Sequence, residues 1–239
     1  MRLMCVLLCI LHGIACTDSV PPAEFEAAAL HELNYHYTWS DHDAVFENDL
    51  GYSIQIVKGA VSNYSIQLVP CEQESLVQSI GNWLISPAFA GHSSIEDDPS
   101  LLNSHYVESL PSEVSVDAGS VQVDSGRYCH AHYLVAKAPN DALGLPADWN
   151  MIDKSVYFEL NYRAPESDEW VAMTVETKLA FGELLEIEPI DMATQGAHIV
   201  VTRSLFSLFD GIDFEQQSSI EIPWRVLENL VTKAVVSVN

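Results

Sequence analysis

Apolar residues fall at every second position along much of this chain, the period of strands with one face on a core and the other toward solvent. Tyr52, Ile54 and Ile56 set this pattern, and Tyr64, Ile66 and Leu68 repeat it twelve residues later. The intervening Lys58-Gly59 and Ser62-Asn63 suit a hairpin connection between two strands. Alternation returns in residues 120–123, 128–136, 156–162, 170–177, 184–187 and 199–202. Helical spacing is confined to two segments. Residues 73–80 carry Leu76, Val77 and Ile80 at three- and four-residue steps, and residues 224–235 place Trp224, Leu227, Val231 and Val235 on one stripe behind Pro223. Many short strands and few helices predict a mainly β chain, an antiparallel β-sandwich of Ig-like or Greek-key type with a few short helices. Nothing resembling a linker cuts residues 31–239, which read as a single domain.

Charge narrows the partners. The 239 residues carry 10 Lys+Arg against 34 Asp+Glu, a formal charge of −24, yet 48% are apolar, which is the composition of a folded protein rather than an acidic tail. A surface this negative repels phosphate backbones, so nucleic acid is not an expected partner. Cations are.

The N-terminus reads as an address. Arg2 precedes an apolar run too short to span a bilayer, and Gly13-Ile14-Ala15 stands before Cys16. Residues 1–15 are expected to be a signal peptide, and Cys16 is a candidate for lipidation at a bacterial lipobox, although Gly13 replaces that motif's usual Leu, Val or Ile. Residues 16–30 would then be a tether to the membrane, placing the protein in the periplasm or on the outer membrane. Cys71 and Cys129 remain as an even pair in an oxidising compartment. A disulfide between them is expected; two separate buried thiols are the alternative.

Eight histidines follow the leader. In Tyr128-Cys129-His130-Ala131-His132-Tyr133, the two imidazoles are two residues apart and share one face of a strand, close enough to hold one metal ion. A third donor must come from elsewhere, and His92, beside Gly91 in the irregular stretch from Pro87 to Pro111, is the first candidate. A second cluster spans residues 31–43. His31, Tyr35, Tyr37 and Trp39 share one parity, and His36 and His42 the other, so His36 and Trp39 are weaker metal candidates. Asp41, Asp43, Glu47 and Asp49, or Asp210 and Asp213, offer hard oxygens for calcium but lack EF-hand spacing, and they also read as solvated acidic turns. His105 and His198 read as ordinary surface or core histidines. None of the sequence signatures of serine hydrolases, zincins, P-loop or dinucleotide-binding proteins is present.

At Val121-Gln122-Val123-Asp124-Ser125-Gly126-Arg127-Tyr128, a strand runs into Gly-x-Tyr and a second strand follows. This resembles the central turn of the exported copper-binding MbnP-like proteins, which include copper-repressed surface proteins of methane-oxidising bacteria. The resemblance implies a β-sandwich holding copper through two histidines, here His130 or His132 with His92. In some members a tryptophan oxidised to kynurenine by a partner protein is a further ligand. Trp39 and Trp83 are the candidates here, and neither can be aligned.

Three functions follow as expectations. The first is a non-catalytic, lipid-anchored copper-binding protein for acquisition or storage. The second is a carbohydrate- or protein-binding module displaying Trp39, Trp83 or Trp149. The third is a zinc metalloenzyme with Glu96 or Asp98 as general base.

Overall fold

The computed structural model describes residues 30–41, 43–71, 100–110, 115–192 and 196–238. Within them the chain is a β-sandwich of two sheets with two helices. Strand β1 is Leu30–Trp39, β2 Phe46–Glu47, β3 Ser53–Pro70, β4 Leu101–Leu102, β5 Tyr106–Leu110, β6 Val116–Asp124 and β7 Arg127–Val135. Then come β8 Val156–Arg163, β9 Val171–Thr177, β10 Phe181–Asp191 and β11 Ala197–Arg203. Helix α1 is Leu205–Leu208, α2 Glu221–Thr232, and β12 Val235–Val238 closes the series. One sheet runs β12-β11-β1-β6; the other follows the path β10-β7-β3-β8-β9, with β2, β4 and β5 also on β3. Pairing is antiparallel except between β1 and β11, which run parallel.

The alternation read from the sequence decides which side chains meet between the sheets. Leu33, Tyr35, Tyr37 and Trp39 of β1 and Ile199 and Val201 of β11 face inward from one sheet. Ile66, Leu68, Ala131, Tyr133, Phe158 and Leu160 come from the other. Tyr37 and Tyr133 meet across the gap at 6.1 Å between ring centres.

The hairpin expected across Lys58–Asn63 does not form: residues 53–70 are one continuous strand. The reason is packing. Ala60 and Val61 are fully buried, and residues 59–61 pair with β5 and β8 at once, so a turn there would expose the core and strip two ladders. The change in chain direction reduces to register shifts at Ile56/Lys58 and Asn63/Ser65. Two further expectations are corrected. The stretch expected to be irregular to Pro111 contains β4 and β5, which are held by their ladders with β3. Helix α2 starts at Glu221 rather than Trp224, and a reciprocal Ser218–Glu221 pair holds the turn that leads into it: the Glu221 amide donates to Ser218 Oγ (3.2 Å), and the Ser218 amide donates to Glu221 Oε2 (2.9 Å). Its buried face is Ile222, Val226, Leu227, Leu230 and Val231; Trp224 is half exposed and Val235 belongs to β12. The helix expected at residues 73–80 lies outside the described residues.

The expected disulfide is present. Cys71 and Cys129 are joined with their Cα atoms 4.9 Å apart, tying the end of β3 to β7.

A polar cluster sits at the centre of the sandwich. Arg203, at an inward position of β11, pairs with Glu108 of β5 at 2.7 Å, with side chains only 2% and 1% exposed. Glu108 Oε1 accepts from Trp39 Nε1 at 2.6 Å and Oε2 from Asn63 Nδ2 at 3.3 Å. Arg203 Nη1 and the Tyr133 hydroxyl both donate to Asn63 Oδ1. The guanidinium lies over Trp39 and Tyr37, 4.6 and 5.2 Å from the ring centres. Burial is the largest influence on Arg203 and opposes its charge, but Glu108, together with the Tyr133 and Tyr37 hydroxyls, outweighs it and raises the pKa. Tyr133 is pushed up to about 12, chiefly by burial. Five strands from both sheets therefore converge on one ion pair.

Candidate functional site

Strand β7 puts His130 and His132 on the face of the sheet turned away from the sandwich interior, while Ala131, Tyr133 and Val135 point inward. Cys129 precedes His130 directly, so the disulfide pins this end of the strand. His130 stands in register with Val69 of β3 and Glu186 of β10; His132 stands in register with Gln67 and Leu184. Both imidazoles are half-buried, and each has one nitrogen sealed from solvent with no hydrogen bond among the described residues: Nδ1 of His130 and Nε2 of His132. Buried polar atoms are rarely left without a partner, and a ring nitrogen with a free lone pair is a metal donor. Burial lowers the His132 pKa, keeping that ring neutral, the form that ligates.

The two rings share a face of the sheet. A Cβ added at Gly182 would lie 3.2 Å from His132 Nε2, so this ring tips over the glycine, toward the row of Leu134 and away from that of His130. Holding one ion between them requires His132 to change rotamer. Glu186, an exposed carboxylate in His130's row, is an oxygen donor that sequence reading did not single out. Among the described residues, no group of three or more His, Cys, Asp or Glu closes around a common point. His92, the expected third donor, lies outside the described residues, as do Cys16, Trp83, Glu96, Asp98 and His42.

The remaining candidates are placed as follows. Trp39 is 3% exposed and points inward with its N–H on Glu108, on the opposite face of β1 from His36, so the two do not share an ion. His36 faces outward and lies against His198 of β11. His31 bonds Ser125 Oγ through Nε2 at 3.0 Å. His105, at φ +40°, packs on Tyr64 with ring centres 4.4 Å apart. Trp149 stacks on Tyr157, with the Lys58 ammonium 5.6 Å from its ring centre.

Asp41, Asp49, Asp210 and Asp213, four of the six acidic positions considered for calcium, are engaged by protein donors. Asp41 Oδ1 accepts from the Leu205 amide, and Asp49 Oδ1 from the Gly211 amide. Asp213 Oδ1 accepts from the Tyr52 hydroxyl and two amides, and Asp210 pairs with Lys233 at 2.7 Å. They tie β2, β3 and the α1–α2 connection together as turn carboxylates.

An acid response follows from the histidines. His132 and His105 both have pKa values lowered, mainly by desolvation, with Asp141 opposing the shift at His105. The unfolded chain takes up these protons first, so their stabilisation is complete above about pH 6.5 and declines as pH falls through the folded values. Urea midpoints measured from pH 7.5 to 5 should fall, and His132→Gln should flatten part of that slope; an unchanged slope would remove the buried imidazole as its source.

The fold defines a disulfide-bridged β-sandwich. Compared with models of protein families, with curated proteins and with solved structures, the chain matches none.

Proposed function

We propose that this is a non-catalytic, lipid-anchored copper-binding protein of a bacterial cell envelope, acting in copper acquisition or storage. One observation carries the reading: two imidazoles on one strand face, each with a buried ring nitrogen that has no hydrogen-bond partner among the described residues. Imidazole suits Cu(I), Cu(II) and Zn(II), and the site's geometry and the metal supply select among them. The charge of −24 raises local cation concentration and draws the ion in. The disulfide beside His130 supports an oxidising compartment. His92 is proposed as the third donor, from its place beside Gly91, and Glu186 as an oxygen donor in the same row.

Calorimetric titration of the full chain with Cu(II), and with Cu(I) under reductant-free anaerobic conditions, tests this. His130→Ala and His132→Ala should each weaken the tightest site by more than about tenfold, since losing an outer-shell partner alone costs about 10–100-fold. Affinity unchanged in both variants would remove this face from the function.

A second reading has an observation of its own. An open cleft of about 460 Å³ is lined by Asp43, Val45, Glu47, Ser53, Arg163 and Phe206. Trp170 stands beside it, half exposed, with Arg163 5.0 Å over its ring. This suits a glycan- or protein-binding module. Ligand capture that survives chelator treatment would favour it over the metal.

A further inference from the structure

The outer face of the four-stranded sheet holds a pair of histidines that the sequence keeps far apart. Parallel pairing of β1 with β11 sets His36 opposite Val200 and His198 opposite Asn34, one step apart along neighbouring strands on the same face. The imidazoles lean into this diagonal until their centres are 5.8 Å apart, with the ring planes tilted by 30°. His198 is exposed and His36 half-buried, so an ion reaches both from solvent. Among the described residues neither ring is engaged in a hydrogen bond, in contrast to His31, which is held by Ser125.

We propose that His36 and His198 form a second metal site, a bidentate imidazole clamp for a divalent transition ion of the Cu(II), Ni(II) or Zn(II) class. The site is independent of the His130–His132 face and lies on the other sheet. Two imidazoles bound to one ion at about 2.0 Å per bond have ring centres about 4.5–6.3 Å apart as the angle at the metal opens from 90° to 180°. The observed spacing falls inside that range, so side-chain rotation is enough and the backbone need not move. Rigid strands hold both ligands, which limits the entropy lost on binding. Asp117 of β6 is in register with His36 and exposed, but its Oδ1 accepts from the Gly119 amide at 3.0 Å. It is a negative charge beside the clamp rather than a third ligand, and water fills the remaining positions.

The experiment uses the full chain carrying His130→Ala and His132→Ala, loaded with one equivalent of Cu(II) and examined by pulsed electron paramagnetic resonance for coupled imidazole nitrogens. The expected signal is two equivalent imidazoles, reduced to one in His36→Ala and in His198→Ala, with affinity lowered by at least about tenfold in each. The same two substitutions in the wild-type background should remove one equivalent of bound metal while leaving the other face loaded. A two-imidazole signal that persists when both His36 and His198 are replaced would overturn the clamp, as would the loss of all Cu(II) uptake in the His130→Ala/His132→Ala background. Failure of the first face with the clamp intact would instead remove the copper reading at His130 and His132 alone. Circular dichroism of each variant checks that the sheet is preserved.

Discussion

Glu108→Leu is expected to destabilise the fold by about 3–5 kcal/mol, the cost of leaving the partner of a buried ion pair uncompensated. The carboxylate is 1% exposed and accepts from Arg203, Trp39 and Asn63. Its removal strands a guanidinium that is 2% exposed, with Asn63 Oδ1 and two aromatic faces as its surroundings. Arg203→Met should cost a similar amount, because it leaves a bare carboxylate in the same place. The double variant Glu108→Leu/Arg203→Met should recover most of the loss, since no charge then remains inside. Urea unfolding of the four proteins gives the coupling energy directly. At about 2–4 °C per kcal/mol for a chain of this size, each single variant should melt about 10 °C lower. Single variants within 1 kcal/mol of the parent would mean that water reaches the pair.

Reducing the Cys71–Cys129 bridge, or replacing both residues with Ala, is the second large effect, an expected loss of about 4 kcal/mol in the chain-entropy model. The sequence separation is 58 residues, so the bridge removes much freedom from the unfolded ensemble. Its signature differs from that of the ion pair. Losing the bridge should raise the denaturant m-value, because a longer unlinked segment becomes exposed on unfolding, whereas the Glu108 variant should leave it unchanged. A fall in stability below 1 kcal/mol would show that the denatured chain is already constrained there. The bridge also adjoins His130, so the copper affinity proposed for that face should weaken with it.

These features differ in how plainly the sequence announces them. Strands such as β8 and β11 are legible because Val156, Phe158 and Leu160 alternate with Tyr157, Glu159 and Asn161, and because Ile199 and Val201 sit in a β-branched run flanked by His198 and Thr202. The disulfide is legible by cysteine counting. β4 and β5 are not, since their short segments become strands only by pairing with β3, a tertiary effect. Lys58-Gly59 misleads because its turn-forming composition is overruled by the burial of Ala60 and Val61. Arg203 carries a signal that is easy to miss, as it continues the inward parity of Ile199 and Val201, and Trp39 does the same after Leu33, Tyr35 and Tyr37. A charge on an inward position asks for a buried counter-charge, though nothing local says that it is Glu108. On the candidate site, the shared face of His130 and His132 follows from strand parity. The lean of His132 over Gly182 does not, because it depends on the β7–β10 register. The approach of His36 to His198 rests on a parallel ladder between distant segments and leaves no trace in either neighbourhood.

That ladder also governs when folding can finish. β1 is among the first strands to leave the ribosome, yet its partner β11 follows more than 150 residues later. One sheet is therefore incomplete until residues 197–238 have been synthesised. At a growth rate of about 5–20 residues per second, β1 waits on the order of ten seconds with an unpaired edge. A chain that stays unfolded that long is open to any chaperone that recognises Tyr35 and Tyr37 before the sandwich covers them.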